Sequence, residues 1–161
     1  MALRPWVCLL LVLASFGCKE KSQFASIGKS VVQAVRTNDE EAFVRLHVQP
    51  GDKTPSGNYW LVTRAGGSRP DEAWNEELRR AFRDLSRDLK QSGAKIESLE
   101  LIKIERHSTY QVSGDADRSN LSNLTLRVGD GGSEYLLTFT EGMLSQRGWV
   151  IAGSKVAVTR P

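Results

Sequence analysis

The chain predicts an α+β fold in which N-terminal helices pack on an antiparallel sheet. Three observations carry that expectation. Apolar residues recur at helical spacing through the first half of the sequence, the period drops to two from Lys95 onward, and the later apolar runs are joined by connections of only a few residues. Such short connections require antiparallel neighbours, because a parallel crossover needs a dozen residues or more. Helices first and strands afterwards is the segregated order of an α+β domain, not the alternating order of a doubly wound one. At 161 residues and 17.9 kDa there is room for one such domain.

The first element lies outside the domain. Arg4 followed by the 12-residue apolar run from Pro5 to Phe16 has the layout of an export signal, a positive start and a short apolar stretch. A helix crossing a bilayer core needs about 20 apolar residues, so the run is too short for a permanent span. Residues 1–17 are therefore expected to be a signal peptide. The next four-residue window, Ser15-Phe16-Gly17-Cys18, resembles the lipobox of bacterial lipoproteins, in which a small residue precedes a cysteine that becomes the acylated first residue. The positions three and two before the cysteine hold Ser15 and Phe16 where the family has leucine and a small residue. The resemblance thus rests on Gly17, Cys18 and their place after the apolar run. Ordinary cleavage after Gly17 also satisfies the small-x-small rule. Cysteine arithmetic favours lipidation: of the two cysteines, Cys8 leaves with the signal, and ordinary cleavage would strand Cys18 as a lone thiol in an oxidising compartment. Several acyl chains on one residue give the second hydrophobic signal that a stable anchor requires. Residues 18–23 then read as the lipidated cysteine and a polar tether, and residues 24–161 as the single domain.

Within the domain, Phe24, Ile27, Val31, Ala34 and Val35 mark a helix over 24–36. Asn38 with Glu41 has capping-box spacing and predicts the start of a second, short helix from Asp39 to about His47, with Ala42, Phe43 and Leu46 inward and Pro50 beyond its end. Residues 50–58 are turn chemistry, and Tyr59 to Thr63 is a short extended run. The strongest helix spans 71–92. Trp74, Leu78, Ala81, Phe82, Leu85 and Leu89 share one stripe, charges cover the rest, Glu76 is placed to pair with Arg80, and Gly93 follows the last turn.

Residues 95–106 alternate with a phase slip between Leu101 and Ile102, which predicts a bulge. Thr109 to Ser113 reads as a separate short strand, which would leave His107 and Tyr110 flanking a turn. Leu124, Leu126 and Val128 predict the next strand, then Tyr135, Leu137 and Phe139 after a turn at 129–132. Gln146-Arg147-Gly148 turns again into a last strand from Trp149 to Val158. Together, the two opening helices hinged at Asn38-Asp39, the long helix 71–92 and the terminal hairpin ending in Gly148-Trp149-Val150-Ile151 resemble the nuclear transport factor two-like superfamily over residues 22–158. That resemblance implies a cone in which helices lie in the concavity of a curved sheet. A generic helix-on-sheet domain of cystatin-like type has the same layers without a pocket.

Composition narrows the function. A net charge of +3 on 22 basic and 19 acidic residues is a mixed surface that gives nucleic-acid binding no support. Two histidines from distant segments are too few for a zinc site without carboxylate help, so no metal or other cofactor is expected. Serines lack the strand–turn–helix context of a hydrolase nucleophile. Asp115 and Asp117 miss the spacing of a calcium loop, and the sequons at Asn120 and Asn123 sit beside a bacterial-type export signal. The superfamily's enzymes resemble one another in an acidic general base inside the cone, but Asp39, Asp52, Asp71, Asp115, Asp117 and Asp130 fall on turns and solvated faces. His47, at a helix end, reads as a cap that complements the dipole, and Trp60, Trp74 and Trp149 as core anchors. No residue is expected to be catalytic. The favoured reading is a non-enzymatic lipoprotein held to the bilayer through acylated Cys18, at the periplasmic face of the outer membrane because Lys19 is not a retention aspartate. Its partner would be a small ligand or an envelope protein. The competing reading is a cavity enzyme of isomerase or dehydratase type, with Tyr59, Glu100, His107 or Tyr110 handling protons. It requires those side chains to converge in one apolar pocket. Oligomeric state leaves no mark on the sequence.

Overall fold

The computed structural model describes residues 24–49, 51–53, 72–110 and 121–161. Helix α1 occupies 24–37. It closes with Asn38 in the left-handed region (φ 54), where the Asn38 amide bonds the Val35 carbonyl and the Asp39 amide bonds the Ala34 carbonyl. This is a Schellman ending, and asparagine tolerates the conformation better than most residues. Helix α2, Glu40–Arg45, is capped by Asp39, whose Oδ1 accepts from the Ala42 amide at 2.8 Å. The expected capping box is thus corrected: Asn38 terminates α1, Asp39 starts α2, and Glu41 reaches across to Arg79 at 2.7 Å. The helix also stops earlier than the sequence suggests, at Arg45.

Helix α3, Glu72–Gln91, buries Trp74, Leu78, Phe82, Leu85 and Leu89 as the stripe predicts. Gly93 ends it at φ 85, with the Gly93 and Ala94 amides bonded to Lys90 and Leu89 carbonyls. Glu76 pairs with Arg79 at the i,i+3 spacing and with Arg83 two turns on, not with Arg80.

After a 3₁₀ turn at Ile96–Ser98, five strands among the described residues form one antiparallel sheet: β1 Glu100–Tyr110, β2 Leu121–Gly129, β3 Glu134–Ser145, β4 Gly148–Ile151 and β5 Val156–Thr159. The β1–β2 register shifts between Leu101 and Lys103, where the alternation slips, and again between Ile104 and Arg106. Strand β1 continues through Tyr110, so His107 and Tyr110 lie within a strand, opposite Leu124 and Leu121, and not at a turn. The expected final strand is divided. Gly142 faces Ile151 and Phe139 faces Val156, so β4 and β5 share one edge of β3 with two extra residues between them. Gly153 occupies that interruption because a Cβ there would stand 2.5 Å from the Thr140 carbonyl oxygen.

Between the layers, Phe24, Ile27, Val31 and Val35 of α1 and Phe82, Leu85 and Leu89 of α3 meet Leu124, Leu126, Val128, Tyr135, Leu137, Phe139, Trp149 and Ile151. The alternating residues of β2 and β3 therefore face inward, as period two requires. Helix α1 comes so near the sheet that a Cβ on Gly28 would lie 3.0 Å from a Leu101 methyl and 3.1 Å from a Leu126 methyl. The opposite face of the sheet is polar. Thr125 and Thr138 share a hydrogen bond, and Arg127 bridges Glu105 and Glu134. Among the described residues no helix is long and apolar enough to cross a membrane.

Candidate functional site

Three polar or charged residues are buried among those described: His47, Asp130 and Ser145. Each is tied to the backbone. Asp130 Oδ1 accepts from the Gly132 and Ser133 amides at 2.9 and 2.8 Å, and its Oδ2 accepts from the Lys95 amide at 2.9 Å. Those three donors, led by Lys95, hold the carboxyl down to about 2. The acid is on a turn, as its sequence context suggests, but it is buried and fastens the β2–β3 turn to the segment entering β1. Ser145 Oγ donates to the Gly148 carbonyl and accepts from the Arg147 amide across the β3–β4 turn.

His47 has the most distinctive surroundings. The segment after α2 lies along the outer edge of β4, where His47 bridges Ile151 in parallel. The Val48 amide donates to the Ile151 carbonyl at 2.8 Å, and the Ile151 amide donates to the Leu46 carbonyl at 2.9 Å. Trp74, on the first turn of α3, donates its indole N–H to the Val48 carbonyl at 3.2 Å. The His47 ring stacks at a tilt on Phe43, 4.7 Å between centroids, and Phe43 in turn contacts Phe82. Nδ1 lies 2.9 Å from the Phe43 carbonyl. A carbonyl can only accept, so Nδ1 carries the proton and Nε2 keeps a bare lone pair. That Nε2 is buried and without a hydrogen-bond partner. Burial pushes the imidazole down to about 4, the Phe43 bond opposes the shift, and the Arg147 guanidinium adds to it.

The expectation for His47 is therefore right about position and wrong about charge. It does bond a carbonyl at the end of α2, but as a neutral ring, because desolvation outweighs whatever the helix end offers a cation. Nothing in the sequence marks the contact that matters most here. Arg147 forks onto Asp52 at 2.7 and 2.8 Å and also donates to the Arg45 and His47 carbonyls at 3.0 and 2.6 Å.

The proposed proton-handling residues fare differently. Glu100 is exposed at the first position of β1, paired with Gly129. His107 lies seven residues further along the same strand, roughly 20 Å at the rise of an extended chain, so the two positions stand well apart on the backbone. Tyr59 lies outside the described residues, as do Trp60, Cys18, Asp115 and Asp117. Trp74 and Trp149 are buried core anchors as expected. On the helical side, Lys29, Gln33, Thr37, Asp39 and Ala42 line a shallow depression that is open to solvent.

Neither a family model nor a curated protein matches the chain. Among solved structures, a cystatin-like protein from Ruminococcus gnavus is similar to it, with a TM-score of 0.58 and 15% sequence identity over 95% of this chain and 48% of that one. The chain thus spans about half the length of this neighbour. At that identity the likeness bears on the fold alone. It agrees with the arrangement above, helices packed on one antiparallel sheet.

Proposed function

We propose that the protein is an exported lipoprotein whose α+β domain acts as a non-enzymatic module for a small ligand or an envelope protein. In this reading residues 1–17 are the export signal, Cys18 carries the acyl chains, residues 18–23 are the tether, and residues 24–161 are the domain. The outer membrane, facing the periplasm, is its place because Lys19 is not a retention aspartate. The fold class is compatible with a ligand-binding module. The observation that supports the non-enzymatic part is how the three buried polar residues of the described chain are anchored, although the Nε2 of His47 is left without a partner. Asp130, Ser145 and the Nδ1 of His47 are bonded to backbone groups of this chain. A general acid or base must instead reach a substrate proton within about 3 Å.

The test uses a full-length Cys18→Ala variant beside the parent. The parent should partition into detergent and carry the added mass of acyl chains, and the variant should be soluble. A variant as firmly membrane-bound as the parent would remove the anchor from the proposal. The module half is tested on the same soluble variant by native mass spectrometry and by crosslinking in intact envelopes. It expects either a retained small molecule or a discrete crosslinked partner, and fails if neither is found.

A further inference from the structure

We propose that the segment through His47 and Val48 is an acid-released strap over the outer edge of β4, with His47 as its trigger. Among the described residues the strap is held by the two backbone bonds with Ile151, the Trp74 bond to the Val48 carbonyl, the Gln49 side-chain amide on the Val44 carbonyl, the grip of Arg147 on Asp52 and on the Arg45 and His47 carbonyls, and, at its far end, the Gln146 amide on the Lys53 carbonyl. At neutral pH the arrangement suits an uncharged ring. Nδ1–H is satisfied by Phe43, and a lone pair on Nε2 is less costly to bury than an N–H group.

A proton on Nε2 changes this. It creates a buried donor without an acceptor and a cation in a site built for a neutral ring. Among the described residues no packed element brings a counter-charge to it. From the β3–β4 turn comes Arg147, a like charge. The strap's own Asp52 is already divided between Arg147 and the Gln49 amide. Helix α2 contributes exposed Arg45, while its Glu40 and Glu41 turn to Arg83 and Arg79 of α3. The buried stripe of α3 there is Trp74, Leu78 and Phe82, and β4 supplies Trp149, Val150 and Ile151, none of which titrates. Water is the remaining way to solvate the imidazolium, and water reaches it when the strap lifts. Lifting also frees the Ile151 N–H and C=O on the edge of β4, the kind of unpaired edge that accepts another strand.

Amide hydrogen exchange on the full chain, corrected for intrinsic rates, tests the proposal between pH 7.5 and 4. The Val48 and Ile151 amides should lose protection on the order of 100-fold by pH 4, the factor that a fall in pKa from 6.5 to about 4 allows. Leu126 and Leu137 in the sheet centre should stay protected. A His47→Gln variant, which keeps a donor for Phe43 and cannot titrate, should hold the strap down throughout. Equal loss at Leu126 and Leu137, or unchanged acid opening in H47Q, would overturn the proposal. Should H47Q not fold, the parent's own ring signal decides. With two histidines in the chain, a His47 Cε1–H midpoint near the ordinary 6.5 refutes the trigger, and one near 4 supports it.

Discussion

Arg147 and Asp52, 95 residues apart in sequence, meet in a two-point fork with nitrogen–oxygen distances of 2.7 and 2.8 Å. The pair joins the β3–β4 turn to the segment that follows α2. Planar guanidinium and carboxylate groups match each other in this geometry, and a lysine ammonium cannot reproduce it.

Arg147→Ala should therefore lower stability by roughly 2 kcal/mol, the scale of charge-assisted hydrogen bonds lost together with those to the Arg45 and His47 carbonyls. Arg147→Lys should recover less than half of that loss. Urea melts of the three proteins check it, and a lysine variant as stable as the parent would show that the fork geometry contributes nothing.

Phe82 is buried between Phe43 and the sheet, 5.3 Å from the Phe43 centroid. Phe82→Ala should cost about 3–5 kcal/mol, transfer and cavity terms combined. Surface changes on the same helix, such as Arg80→Ala, should stay within about 0.5 kcal/mol. An unchanged melting curve for F82A would contradict the layer order.

Acid should act on stability in two separate windows. The folded state holds the His47 pKa at about 4 against an ordinary 6.5, so the unfolded chain takes up the proton first. Stability present above pH 6.5 is lost as pH falls toward 4, by about 3 kcal/mol if the ring stays neutral in the fold until then. Asp130, held at about 2 against 3.8, contributes stability that is present above pH 4 and is lost as pH falls toward 2. Melting temperatures measured from pH 8 to 2 should show both losses in the parent. Asp130→Asn should lack the lower one and His47→Gln the upper one.

The sequence by itself determined what depends on local periodicity. The inward stripe of α3, the inward sets Leu124-Leu126-Val128 and Tyr135-Leu137-Phe139, and the glycine that closes α3 all follow from neighbours a few residues away. The phase slip near Leu101 was legible for the same reason, because one residue out of register moves every following side chain to the other face. Tertiary structure alone decided the rest. Asn38 and Asp39 are both good caps, and the path of the chain into α2 gave the cap to Asp39. The division of the last strand reflects the close approach of Gly153 to Thr140, a contact across the sheet that leaves no mark on the spacing. The charge state of His47 belongs to this group too. A histidine after a helix reads as a cationic cap until the strap, Phe43 and Arg147 close around it, and desolvation then makes the neutral ring the stable form.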